Sequence, residues 1–439
     1  MDTTPHTALL QEFDQVTREA LIRILGAPVG DRVWQQGKIP VSMGGLGLRA
    51  AEDHAPAAYA ASVLSAQLQV QDLVGGRQVL DGEEGVLGPE VLGALSVAQG
   101  EQEQLRVADL VGMTQRQMSV KVDLHQQRRL MEMVGEGEER EKARLLAVAL
   151  DHTGDWLNTP PLKALGLHLR SSEFILATKY RLGMPVFDSA GPCPACLHQS
   201  DVFGDHAMCC RSGGERISRH NNLRDALFDT AVAAGLGPVK EGRFLLPGND
   251  RRPADVLIRN WVGGKDAALD ITVVTPLQDN TMPGAAHTAG HALTYAYERK
   301  INGAEEECRR QGIAFLPMVV ETFGGWHPDA KREVKKLGAA LARHTGQDEG
   351  EATSHLWSRM SILLQRGNAA ILGNRIPNQP GAHIDGIIWS INSLPLTDDH
   401  CVREPEIYIY THANSDERKL RQFRTDSVAT YSFMAVLSM

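Results

Sequence analysis

Four of the six cysteines in this chain crowd between Cys193 and Cys210, and no other stretch constrains the fold so tightly. The run is Cys193-Pro-Ala-Cys196, then His206, then Cys209 and Cys210. Two thiolates separated by two residues can face one ion from a single tight turn. A histidine and one more cysteine complete a tetrahedral N/S set, the closed geometry of structural zinc. Either Cys209 or Cys210 can be the fourth ligand, but not both. The segment 191–214 is turn-rich with little apolar content, so a metal ion would supply much of its folding energy. The competing reading is a set of buried free thiols beside a solvent-facing histidine, and the spacing favours the metal. So few cysteines in 439 residues cannot form a disulfide scaffold, and their clustering points to a reducing compartment, nuclear or cytoplasmic. The first thirty residues show no signal pattern and no apolar run reaches membrane-spanning length, so no membrane partner is expected.

Apolar spacing divides the rest of the chain. Leu9, Leu10, Phe13, Val16, Ala20, Leu21 and Ile24 recur with helical period, until Gly26, Pro28 and Gly30 interrupt them. A glycine turn at 44–47 precedes a helix over about 50–70. Further helices are expected at 138–150 and 172–182. After Gly191 the pattern changes. A helix over 216–234 is followed by short apolar runs at 243–247, 254–258, 267–274 and 313–320, each bounded by turn residues as strands are. A helix over about 289–311 separates the last two runs, and two more follow at 329–343 and 351–366. Helix, strands, helix, strand makes a mixed α/β core.

Within that core, acids stand where apolar residues belong. Asp255 enters the run Ala254–Ile258, Asp270 lies in the middle of Ala267–Val274, and Glu241 sits beside the first strand. A carboxylate inside an apolar strand is costly unless it meets a cation. Two such acids on adjacent strands can share one Mg²⁺ or Mn²⁺, which keeps waters for a phosphate substrate. Lys300, on the following helix, can orient an attacking water and offset phosphate charge. The bland alternative is a pair of strand-end acids satisfied by Arg251, Arg252 or backbone amides. The stretch Arg219-His220-Asn221-Asn222-Leu223-Arg224 can bind phosphate or brace an active site, although such clusters are more often solvated faces.

In their order and spacing these motifs resemble the C-terminal part of non-LTR retrotransposon reverse transcriptases that carry a restriction-like, PD-(D/E)xK-type endonuclease. The resemblance is carried by Cys193/Cys196/His206/Cys210, Arg219-His220-Asn221, Pro253-Ala254-Asp255 and Asp270-Ile271-Thr272-Val273. It implies that Cys210 rather than Cys209 is the fourth zinc ligand, and that the nuclease lysine has moved to the next helix, at Lys300. The tyrosine that the family often places one turn later is absent; Gly303 and Ala304 stand there. The run Phe315–Trp326 resembles the family's last core strand and turn. Trp34–Pro40 and Gly44–Arg49 resemble the thumb and linker behind a polymerase palm. The palm itself is missing, so no reverse transcriptase activity is expected.

The reading is therefore an α+β multidomain protein. A helical thumb-like region is expected at 1–115, a helical linker at 116–188, a zinc knuckle at 189–214, a restriction-like core at 215–345, a helical extension at 346–376 and an irregular tail at 377–439. The expected activity is metal-dependent nicking of DNA by phosphodiester hydrolysis. Asp255, Asp270, Lys300 and Glu241 would be catalytic, with Asp255 and Asp270 holding Mg²⁺ or Mn²⁺. Arg219, His220, Arg224, Arg251 and Arg252 would face nucleic acid. DNA and the element's RNA are the expected partners. The alternative is a catalytically inactive or domesticated nucleic-acid-binding protein, motivated by the net charge of −9. Locally the sign reverses: residues 211–260 hold nine Lys/Arg against six Asp/Glu.

Overall fold

The computed structural model describes residues 4–73, 87, 89–101, 103, 105–242 and 254–376. The run expected to be a strand at 243–247, the pair Arg251 and Arg252, Pro253, Cys401 and the tail from 377 lie outside these residues. The chain forms two compact units, Met1–Leu150 with Ala286–Ala289, and Asp151–Ala285 with Gly290–Met439. The boundary falls inside the stretch expected to be a linker, at 116–188. No helix among the described residues is long and apolar enough to cross a membrane.

The first unit is helical: α1 (Thr4–Leu25), α2 (Asp31–Lys38), α3 (Ala51–Leu73), α4 (Pro89–Gln99), α5 (Val107–Leu110), α6 (Gln115–Glu132) and α7 (Glu139–Val148). The expected glycine break between the first two helices is present, with Gly26 at φ +59°. Ala57, Leu95, Leu110, Met118 and Val122 form one buried cluster, and Ile39, Leu130 and Leu145 another. Gly44-Gly45 forms the expected turn, and it is close-packed. Gly44 adopts φ +95° and lies against Val148, and an added Cβ at Gly45 would meet the Ile39 carbonyl. Only glycine tolerates both demands.

The second unit begins with α8 (Asp155–Asn158) and α9 (Ser171–Arg181). Then come a two-stranded ribbon, β1 (Gly191–Pro192) and β2 (Gln199–Ser200), α10 (Asp205–Cys209) and α11 (Glu215–Ala233). Next are β3 (Val239–Lys240), β4 (Val256–Val262), β5 (Lys265–Val274), α12 (Met282–Ala285), α13 (His291–Arg310), β6 (Ala314–Glu321), α14 (Pro328–Thr345) and α15 (Glu349–Gly373). The strands form one sheet in the order β3-β4-β5-β6. β4 and β5 pair antiparallel across Gly263-Gly264, both at positive φ, the two-residue hairpin that suits strand twist. β6 runs parallel to β5, which requires the α13 crossover between them. Pro317 stands in β6 beside Asp270; β6 is an edge strand, where a missing N–H is tolerated.

Helices cover both faces of the sheet. Ala267, Leu269 and Ile271 of β5 join Leu223, Leu227, Val334, Leu337, Leu356 and Met360 in a core beneath α11, α14 and α15. Ala268, of opposite parity, packs with Leu257, Phe315 and Cys308 beside Ile301 and Ala304 of α13. This alternation turns Asp270 toward α13. The segment 346–376, expected as an appended extension, is structurally central: α15 packs on α8, α9, α10, α11 and α14.

Candidate metal centre and acidic site

The cysteine cluster is assembled by short elements. The β1–β2 ribbon closes the Cys193–Cys196 turn, where the Cys193 amide donates to the His198 carbonyl and the Leu197 amide to the Cys193 carbonyl, each at 2.8 Å. Asp201 caps α10, its carboxylate accepting from the amides of Phe203, Asp205 and His206 at 2.7, 3.1 and 2.8 Å. That cap orients His206, and Cys210 ends the helix. Donor atoms of Cys193, Cys196, His206 and Cys210 all lie within 4.8 Å of one another. Cys193 and Cys210 Sγ are 3.9 Å apart, and Cys196 Sγ is 3.2 Å from His206 Nε2. A tetrahedron with Zn–S of about 2.3 Å has edges of roughly 3.8 Å, so the donors need little movement to close on an ion. This Cys₃His cluster can bind a metal such as zinc. Burial opposes ionisation of Cys193, but the amides of Ala195 and Cys196 and the His206 ring outweigh it and pull the thiol down to about 6.

Cys209 is not part of the set. Its Sγ donates to the Asp205 carbonyl at 3.3 Å, and burial pushes its thiol up to about 12. The alternative that spacing left open is thereby resolved toward Cys210. Cys308 is a buried thiol of the α13 face, pushed up to about 11 by burial.

The acids meet at the centre of the sheet. Asp255 and Asp270 flank the Val256–Leu269 pair on neighbouring strands. Asp255 Oδ2 accepts from the Ile271 amide at 2.6 Å, and Oδ1 lies 3.2 Å from His220 Nε2 on α11. Asp270 Oδ2 is 2.7 Å from Lys300 Nζ on α13 and 3.4 Å from the Thr272 hydroxyl. Burial raises the Asp270 carboxyl above its ordinary value; Lys300 pulls it down, and the neighbouring Asp255 carboxylate pushes it up again. Two carboxylates, an ammonium and an imidazole thus converge from two strands and two helices.

Other expected site residues lie elsewhere in this geometry. The Glu241 side chain is paired with Arg224, whose Nε also meets Asp225 at 2.9 Å. The Glu241 backbone amide donates to the Asp255 carbonyl at 2.9 Å. Arg224 is buried and held by these acids. Arg219, expected to face nucleic acid, is 2% exposed. Its Nη1 donates to Asn368 of α15 at 2.7 Å, with Met208 Sδ 3.6 Å away, so it pins helices together and presents nothing to a phosphate. Of the basic segment, His220 reaches Asp255. One turn ahead of Lys300, Tyr297 stacks on His327 and donates to Asp329 at 2.6 Å. Trp156 and Trp326 are buried packing anchors.

A cleft of about 620 Å³ lies away from the acids, lined by His152, Asp155, Lys335, Glu349 and Trp357 among others. None of Asp255, Asp270, His220 or Lys300 lines it. Sequence reasoning missed Asn368 and Arg375, which brace the site from α15 and its end. Asn368 signals itself only as a polar residue on a largely apolar stretch of helix, and Arg375, just past the helix end, belongs to no motif. No family model matches the chain, and no curated protein is significantly similar to it.

Proposed function

We propose that the second unit is a metal-dependent DNA endonuclease, derived from a non-LTR retrotransposon and fronted by a zinc knuckle. One observation carries the reading: Asp255, immediately before β4, and Asp270, within the neighbouring β5, stand together in an α/β unit, with Lys300 on Asp270 and His220 on Asp255. Holding two half-buried acids side by side is unfavourable for packing alone, and such arrangements concentrate at sites that bind cations or handle charge. The donor set suits Mg²⁺ or Mn²⁺, which take carboxylate oxygens and retain waters.

When bound, the ion would polarise the scissile phosphate and balance charge on the leaving oxygen. Asp255 and Asp270 would hold it. The Asp255 carboxylate is already oriented by the Ile271 amide, and His220 steadies its other oxygen. Lys300 would hold a water in line with the phosphate and neutralise charge on its oxygens. Glu241, tied to Arg224, acts on the shape of the site rather than on the ion. Zinc in the Cys₃His centre would fix the segment that leads into α11.

The test is a plasmid nicking assay on the purified full chain with Mg²⁺ or Mn²⁺. Nicking should appear with metal and vanish in Asp270→Ala and Asp255→Ala, with Lys300→Ala losing at least 100-fold. Cutting that persists in both aspartate variants removes the assignment. DNA affinity that falls with salt, without metal-dependent cleavage, selects the non-cutting binding protein instead.

A further inference from the structure

Arg375 follows α15 and belongs to no motif, yet it is nearly inaccessible at 3% exposure. Its Nη2 donates to the Ser212 carbonyl at 2.6 Å and pairs with Glu215 Oε2 at 3.1 Å. Its Nε is buried with no hydrogen-bond partner. A buried N–H left unpaired is rare and costly, so it calls for a partner. Cys210 Sγ lies 3.9 Å from that same Ser212 carbonyl oxygen, which sets the guanidinium beside the Cys210 side chain. Other cations near the knuckle are differently placed: Arg216 donates to the Cys209 carbonyl at 2.9 Å, Arg219 donates to Asn368 at 2.7 Å, and Arg211 is exposed.

Charge supplies the rest. Three thiolates and a neutral imidazole around a divalent ion leave one net negative charge. Cys193 and Cys210, two of those thiolates, are buried. Burial of that charge is costly without a compensating cation. We infer that Arg375 is the outer-sphere cation of the Cys193/Cys196/His206/Cys210 centre, donating to the Cys210 thiolate and neutralising the metal–thiolate charge. This rests on the metal-centre reading above. It ties the centre to the end of α15, and through Ser212 and Glu215 to the start of α11, the helix that carries His220.

The experiment uses cobalt(II) as the probe on the full chain, with Arg375→Gln, Arg375→Lys and Glu215→Gln beside the unmodified protein. Cobalt affinity in Arg375→Gln should fall about 10-fold or more, the usual effect of removing an outer-sphere partner. Its thiolate-to-cobalt charge-transfer band should move to longer wavelength, because a thiolate without a donor gives up charge more easily. Arg375→Lys should restore part of both. Glu215→Gln removes the ion pair but leaves the guanidinium beside Cys210, so its band should stay in place. An Arg375→Gln protein with unchanged affinity and an unshifted band overturns the inference, as does a Glu215→Gln protein that reproduces both changes. Failure of the unmodified chain to give any thiolate–cobalt spectrum is a different result: it removes the metal centre itself, and Arg375's role with it.

Discussion

Glu321, the last residue of β6, is fully buried, and neither carboxyl oxygen has a hydrogen-bond partner. Burial pushes its carboxyl up from the usual 4.5 to about 8. The folded chain therefore keeps a proton that the unfolded chain releases above pH 4.5. Stability from this group is fully present below about pH 4.5 and declines as pH rises toward about 8, where the folded carboxyl finally ionises. Glu321→Gln cannot ionise. It should match the unmodified protein near pH 4.5 and exceed it at pH 8 by about 4 kcal/mol. Urea unfolding at the two pH values measures the difference; a gap that does not widen with pH rejects the assignment. Legibility at the residue scale was uneven. Asp270 could be read from the sequence because an acid breaks an apolar alternation. Arg219 misled, because its burying partner Asn368 lies 149 residues away and nothing local distinguishes a buried arginine from a solvated one.

At the scale of elements, sequence pattern located α11, α13, β4, β5 and β6 to within a few residues, since the helices carry helical apolar spacing and the strands are short apolar runs bounded by turn residues. It did not convey that α15 is the axis of the second unit. A helix buried on several sides loses the one-faced stripe that periodicity detects. Its contact with α11 depends on Gly367: an added Cβ would lie 2.5 Å from Arg219 Cγ and 2.8 Å from its Cβ. Alanine normally favours a helix interior over glycine by about 1 kcal/mol. Here the clash falls on a buried arginine already fixed to Asn368, so Gly367→Ala should instead destabilise by about 1–3 kcal/mol. Gly303, in α13, has open space where its Cβ would lie, and Gly303→Ala should be neutral or stabilising. Denaturant midpoints for the pair decide the matter. Equal gains at both positions would mean that α11 and α15 are less closely packed than this contact requires.

Across the whole molecule, a division into two units predicts energetic independence. Each has its own buried clusters, around Leu95 and Met118 in the first and around Leu269 and Trp357 in the second. The knuckle belongs to the second alone. Gly204 lies against Leu372 of α15, and Arg219 of α11 reaches Met208 of α10. A metal bound there stabilises only the fold that presents its ligands, by mass action. Stripping the metal with a strong chelator should therefore lower the unfolding transition of the second unit and leave that of the first in place. For a unit of this size each kcal/mol lost corresponds to about 2–4 °C. Tryptophan fluorescence separates the two, because Trp156, Trp261, Trp326 and Trp357 lie in the second unit and Trp34 in the first. The fluorescence transition should shift by several degrees while the remaining helical circular-dichroism transition holds. Cys196→Ser should reproduce the shift without chelator and add nothing further when chelator is present. If chelator moves both transitions together, the units share one cooperative fold; if it moves neither, the Cys₃His cluster holds no stabilising ion.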